Sequence, residues 1–271
     1  MADSGALHGV TIGITAERRA GEFVDALTRH GATVWHGPTI RIVPLANDDR
    51  LRAATEEALA GPVDHVAVTT GAGFRGWLSA AEGWGLSDPL HETLSHARIH
   101  VRGPKAVGAV RGRGLRETWS APGETNRELF DRLASGDLRD TRVVVQLHGA
   151  PLPEHTDALR EAGAEVVEVQ PYRWRWPEDL APAHRLIDGV LDGSVDALAF
   201  TSAPAAANLL TLARESGRGD EFRAALSDRV RCACVGPVTA APLREAGVPT
   251  VCPERQRLGA LVKLLVAELG R

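Results

Sequence analysis

Short hydroxyl and glycine residues recur directly after apolar runs, in residues 15–19, 69–73, 102–105, 148–151, 201–204 and 236–239. In an open α/β sheet such loops lie beyond the carboxyl ends of the strands, where helices begin. Backbone N–H groups there lack partners, so the loops suit an anion, and each helix dipole adds about 0.3–1 kcal/mol. The candidates of this kind are Thr69, Thr70, Gly71, Thr201, Ser202, Gly236, Pro237 and Thr239. Each Thr or Ser also reads as an ordinary helix N-cap. Several such loops on one cleft favour a polyanion. Arg18, Arg19, Lys105 and Arg173 adjoin strand ends or the Pro-Tyr stretch described below, and are placed to supply charge.

Other chemistry finds less support. Gly71-Ala72-Gly73-Phe74-Arg75-Gly76 matches a dinucleotide fingerprint between a strand and a helix. It does not follow the first strand, and no acidic residue closes a second strand about 20 residues on. Nucleotide binding is therefore not expected. His148, after a strand, reads as a proton donor, a ligand or a hydrogen-bonded structural residue. No nucleophile elbow, zinc-protease helix or paired-carboxylate motif appears. Cys232, Cys234 and Cys252 are odd in number and lack metal spacing, so reduced thiols and no metal are expected.

Composition agrees with a globular protein: 44% hydrophobic and 24% charged residues over 271 positions suit two medium domains. A net charge of −4 argues against a stand-alone nucleic-acid binder. Positive charge is almost all arginine, Lys105 and Lys263 being the lysines. No run approaches the roughly 20 apolar residues of a membrane span, and residues 1–9 lack a signal-peptide pattern. A cytoplasmic location is expected.

The elements that must position these loops repeat. Asp25-Ala26-Leu27 with Gly31-Ala32 matches Asp157-Ala158-Leu159 with Gly163-Ala164. Residues 63–70 match 195–202, Gly103-Pro104 matches Gly236-Pro237, and Pro122 matches Pro253, all about 132 residues apart. The chain therefore reads as a duplication. Each copy reads strand–helix–strand, a linker, then strand–helix–strand–helix–strand–helix, which implies parallel sheets with helices on both faces. The linkers, residues 39–45 and 169–177, are equivalent. The second holds the only tyrosine, in Pro171-Tyr172-Arg173-Trp174-Arg175-Trp176-Pro177, whose alternation predicts an exposed hinge strand. Residues 40–43 are its expected partner.

These features together resemble the uroporphyrinogen-III synthase family over nearly the whole chain. The residues that carry the resemblance are Asp196-Ala197-Leu198-Ala199-Phe200-Thr201-Ser202, Cys234-Val235-Gly236-Pro237-Val238-Thr239-Ala240 with Gly247, Pro253, and Tyr172 after a strand at the hinge. The resemblance implies two similar α/β domains joined by two extended strands. Their expected extents are residues 1–38 with 178–271, and 46–168, with hinges at 39–45 and 169–177. It implies a cleft that takes hydroxymethylbilane, a polycarboxylate linear tetrapyrrole, and closes it with inversion of the last ring and loss of water. No cofactor is implied. Tyr172 matches the family tyrosine proposed to assist loss of the hydroxyl, and Thr69, Thr70, Thr201, Ser202, Gly236, Pro237 and Thr239 match its carboxylate-binding loops. The chain departs from the family at Ile14-Thr15-Ala16-Glu17-Arg18-Arg19 and at Leu147-His148-Gly149-Ala150-Pro151. Residues 69–77 and 145–150 are similar to an actinobacterial branch in which this domain precedes a DNA-binding domain. A ligand-sensing domain of a transcription regulator is thus the alternative to a lyase. A monomer is expected, without membrane contact, and without nucleic-acid binding through this chain alone.

Overall fold

The structure is a computed structural model that describes residues 5–270. Residues 1–4 and Arg271, the ends of the expected discontinuous domain, lie outside it. The first copy runs β1 (Thr11–Ile14), α1 (Ala20–Arg29), β2 (Thr33–His36), β3 (Arg41–Pro44), α2 (Asp49–Leu59), β4 (His65–Val68), α3 (Gly71–Gly83), α4 (Ser87–His96), β5 (Arg98–Val101), α5 (Pro104–Arg111), β6 (Glu117–Ser120) and α6 (Asn126–Ala134). The second runs β7 (Arg142–Gln146), α7 (Pro153–Glu161), β8 (Glu165–Val169), β9 (Tyr172–Arg175), α8 (Ala181–Asp192), β10 (Ala197–Phe200), α9 (Ala203–Glu215), α10 (Gly219–Asp228), β11 (Arg231–Cys234), α11 (Pro237–Glu245) and α12 (Leu258–Leu269).

The chain forms two compact units. Residues up to Arg41 and from Arg175 onward make unit 1, and Ile42–Trp174 makes unit 2. Unit 2 holds a sheet of order β6-β5-β4-β7-β8, and unit 1 one of order β11-β10-β1-β2. Every pairing in both is parallel. Each sheet thus combines two strands that open one copy with the later strands of the other. Polar bonds repeat the arrangement: Asp64 Oδ2 accepts the Arg142 N–H at 2.8 Å, and Asp196 Oδ2 accepts the Thr11 N–H at 2.7 Å. The chain passes between units through β3 and β9, which pair as a two-stranded sheet.

Strands such as Ala197–Phe200 are buried throughout, so helices cover both faces. In unit 2, Val66, Val68, Phe74, Trp77, Leu90 and Ile99 fill one face, and Leu129, Phe130, Val143, Val145 and Leu159 the other. Unit 1 packs Ile187, Leu198, Phe200, Leu209 and Phe222 on one side, and Ile12, Ile14, Phe23, Leu27 and Leu261 on the other. Each such fully buried side chain contributes about 1.5–3 kcal/mol. Turns after α1 and α7 need Gly31 (φ +92°) and Gly163 (φ +97°), equivalent left-handed positions where a Cβ is costly.

Four helices were not in the expected pattern. α2 and α8 follow the linkers, and α4 and α10 double the crossover into β5 and β11. α2 is mostly polar, but Asp48 caps it by accepting the N–H groups of Arg50 and Leu51, and Leu51, Thr55 and Ala58 form a buried stripe. The last strand of the second copy shrinks to a single bridge from Val251 to Ala233. The hinge strand also ends earlier than expected. β9 stops at Arg175, and Trp176, 40% exposed, lies outside it.

Candidate functional site

In unit 2 the carboxyl ends of β4, β5 and β7 meet β9. Thr70 starts α3 in extended backbone, and its Oγ1 accepts the Gly73 N–H at 3.1 Å. The same oxygen lies 3.3 Å from the Tyr172 hydroxyl. Tyr172 is half-buried, where the sequence predicts an exposed hinge side chain. The Thr70 N–H donates to Gln146 Oε1 at 3.2 Å, and the buried Gln146 amide in turn donates to the Leu147 carbonyl. Thr69 is buried and donates its hydroxyl to the Gln146 carbonyl at 2.8 Å, joining β4 to β7. That hydroxyl is therefore engaged in the frame.

The first two of the three fingerprint glycines are packing residues. A Cβ on Gly71 would strike the Lys105 carbonyl, and one on Gly73 would strike the Gln146 amide. The space a bound pyrophosphate would need beside the second glycine is filled by Gln146. Lys105 itself is exposed, in the first turn of α5. Before it, Gly103 is extended (φ −179°), and Pro104 occupies the first helical turn, where its missing N–H costs nothing.

His148 packs edge-on against Trp174, ring centroids 4.8 Å apart. The Trp174 main-chain N–H donates to the Gly149 carbonyl at 2.8 Å, and a Cβ on Gly149 would meet the Trp174 indole. The loop after β7 is thereby clipped to β9. Burial first, then the nearby Arg102 and His155 charges, push the His148 pKa down to about 4. The ring is neutral at pH 7, and its Nδ1 is buried without a partner among the described residues. Arg173 pairs with Asp48 at 3.0 Å, so it braces the start of α2.

Unit 1 repeats the plan with simpler parts. Ser202 caps α9, accepting the Ala205 N–H at 3.4 Å, and Thr201 beside it is half-buried. Gly236 is extended (φ −175°) and buried against the Gln256 side chain; Pro237 is exposed and Thr239 buried at the start of α11. Thr39 is latched to α9 by its hydroxyl on the Ala205 carbonyl and by Asn208 on its own carbonyl, each at 2.8 Å. Arg18 is exposed, and Arg19 (φ +57°) pairs with Glu22 ahead of α1. Each sheet thus brings together its own threonine or serine cap and its own Gly-Pro helix start.

The model of a family described as "Uroporphyrinogen-III synthase HemD" matches residues 21–263. The chain belongs to the uroporphyrinogen-III synthase family. An uncharacterized protein, YjjA, of Bacillus subtilis is 31% identical over 260 residues, 94% of each chain. A putative uroporphyrinogen-III synthase of Methanothermobacter thermautotrophicus is 33% identical over 172 residues, 64% of this chain and 67% of the relative. Among solved structures, a mutant uroporphyrinogen III synthase from Thermus thermophilus superposes with a TM-score of 0.77 at 30% identity, covering 96% of this chain and 98% of that one.

Family membership gives a chain of the lyase kind in tetrapyrrole biosynthesis and accounts for the two-domain α/β fold. No helix among the described residues is long and apolar enough to cross a membrane. Residues 14–19 and 147–151, read from the sequence as departures from the family pattern, lie at and just beyond the carboxyl ends of β1 and β7. Sequence reasoning missed Gln146, Trp174 and Arg102 at this end of unit 2. Gln146 carried one readable signal: it closes an otherwise apolar strand, Arg142–Gln146, and a buried amide needs partners. Trp174 gave none that separated packing against a loop from ordinary core packing.

Proposed function

We propose that this chain closes hydroxymethylbilane to uroporphyrinogen III, inverting the last ring and releasing water. The observation that carries the reading is the placement of the Tyr172 phenol against Thr70 Oγ1, at the head of α3. Thr70 Oγ1 already accepts the Gly73 N–H, so its own hydrogen can go to the phenol oxygen. The phenol proton is then left for the substrate hydroxyl as it departs. The cation that forms is attacked by the last ring, and the chain's remaining task is to position and hold the tetrapyrrole.

Carboxylates of the substrate are assigned to the starts of α3 and α5 in unit 2; α9 and α11 of unit 1 begin with the same kind of anion-suited helix start. Thr70, Gly71, Thr201, Ser202, Gly236, Pro237 and Thr239 shape those helix starts, with Lys105 and Arg18 as nearby charge. Thr69, Arg19, Arg173 and His148 support the frame. A neutral His148 suits a wall beside cationic groups better than a proton donor.

Hydroxymethylbilane generated in situ tests the reading. With the chain present, product isomer III is expected in place of isomer I, which forms by uncatalysed closure without inversion. Isomer I at the uncatalysed rate would overturn the synthase reading. Tight binding of the tetrapyrrole without turnover would instead favour a ligand-sensing domain.

A further inference from the structure

We propose that Arg102 is the receptor for one substrate carboxylate in unit 2, next to Tyr172. This assignment rests on the synthase reading and adds to it a residue that the matched motifs do not contain. Arg102 follows β5 directly, and its main-chain N–H bonds the Val68 carbonyl at 3.1 Å. It is thereby held beside Thr69 and Thr70, immediately ahead of Gly103 and the start of α5.

The side chain is half-buried, yet its guanidinium forms no hydrogen bond or ion pair among the described residues. The other half-buried arginines of unit 2 are bonded. Arg142 meets Glu165 and the Glu57 carbonyl, and Arg173 meets Asp48. Burial lowers the Arg102 pKa, while Tyr172 and Glu124 act to raise it, so a phenol and a carboxylate are among the groups within electrostatic range. His148, also in range, is neutral and adds no competing positive charge. A half-buried cation without a fixed partner gains little in a purely structural role.

Glu124 does not fill that role. Held in left-handed backbone (φ +60°), it lies over Gly103, as Gln256 lies over Gly236 in unit 1. The duplication supplies the control. At the place of Arg102, before the second Gly-Pro, unit 1 has Val235. The fold therefore does not require an arginine here. What an arginine adds is a planar fork of N–H donors, which fits a carboxylate with two parallel bonds.

The test uses the full chain with Arg102→Met, Arg102→Lys and Arg102→Val, the last copying unit 1. Steady-state constants for hydroxymethylbilane would be read with the affinity for the octacarboxylate uroporphyrin III, by fluorescence, and with thermal melting. Arg102→Met and Arg102→Val are expected to raise KM and the uroporphyrin Kd about 10- to 100-fold, the range of a lost charged hydrogen bond. Turnover should change by less than about threefold, Arg102→Lys should recover part of the affinity, and melting should not fall. Unchanged KM and Kd in Arg102→Met would overturn the assignment. So would a loss confined to kcat, which would place Arg102 in the leaving step, or a sharp fall in melting temperature in all three variants, which would make it a structural ion. A wild-type chain that neither turns over the bilane nor binds the porphyrin would sink the synthase reading itself.

Discussion

Thr70 and Ser202 occupy the same place in the two copies, each in extended backbone and each capping the helix that follows its strand. Their surroundings differ in kind. Thr70 touches a phenol and a buried amide, with Arg102 and His148 nearby. Around Ser202 the matching positions are apolar: Ile40 where unit 2 has Tyr172, Val235 where it has Arg102, and Ala205 where it has Gly73. Ile40 is 4% exposed and Ala205 1% exposed, so these positions serve packing. One scaffold has thus been used twice, with a phenol and an arginine at one strand end and apolar side chains at the matching positions of the other. On the proposed reading, the reaction chemistry belongs to the polar strand end of unit 2.

The largest effect should come from removing the phenol oxygen. Tyr172→Phe keeps the ring and loses a hydrogen bond to a charged or leaving group, worth roughly 1.5–3 kcal/mol. That corresponds to a rate loss of about 10- to 150-fold. Because Tyr172 also meets Thr70 at 3.3 Å, a stability loss of about 0.5–1.5 kcal/mol should accompany it. Ile40→Val, at the equivalent place, should cost a similar amount of stability and leave turnover near wild type. Denaturant melts and isomer-resolved kinetics on both variants check the pair. Equal rate losses would end the division of labour between the units.

A second contrast concerns glycine. Unit 1 carries Ala203 where unit 2 has Gly71. A Cβ on Gly71 meets the Lys105 carbonyl, and backbone cannot move aside as a side-chain end can. Gly71→Ala should therefore separate the starts of α3 and α5 and destabilise the chain by about 2–3 kcal/mol. Chemical denaturation measures this directly. Wild-type stability would mean that these helix starts are loosely packed.

The duplication, the parallel sheets and the hinge pair were legible because they rest on short buried strands and on residues that repeat at one spacing. Helices α2 and α4 were less so, since their apolar stripes are thin and their charge resembles a loop. At the site, the caps Thr70 and Ser202 and the Gly-Pro starts could be read from residue type and position alone. The roles of Thr69, Arg173 and Arg19 could not. Whether a hydroxyl or guanidinium faces a ligand or a neighbour depends on partners such as the Gln146 carbonyl, Asp48 and Glu22. Arg102 lay within a named loop, but its significance emerges only when its lack of a partner is set against Val235.

Acid should strain unit 2 selectively. Burial, with the charges of His65, Arg132 and Arg98, pushes the His100 pKa down to about 4, and His148 is held equally low. Both rings are neutral in the native state, whereas in the unfolded chain they take up protons near pH 6.5. Unfolding thus gains protons as pH falls, so this stability is complete above about pH 6.5 and is lost between there and about pH 4. Discounted for the partial exposure of His148, the loss should be about 2 kcal/mol at pH 5. Hydrogen exchange at pH 7 and pH 5 should show unit 2 amides losing protection first, and His100→Gln should blunt the change. Equal loss of protection in both units would refute the assignment.

The smallest effect is the converse of the glycine contrast. Ala205 stands where unit 2 has Gly73; its N–H is held by Ser202, and its carbonyl by Thr39. Its methyl is buried, so Ala205→Gly removes about 0.8 kcal/mol of apolar burial, and the added backbone freedom costs up to about 0.5–1 kcal/mol more. The first-turn position limits the second cost, because fewer helical bonds depend on it. A net loss near 1 kcal/mol is expected, with kcat within about twofold of wild type, because no polar side chain at this end of unit 1 changes. Urea melts give the first quantity and isomer-resolved kinetics the second. If Ala205→Gly slowed turnover as much as Tyr172→Phe, the packing of α9 would be part of the reaction machinery, and the two strand ends would be partners in the chemistry.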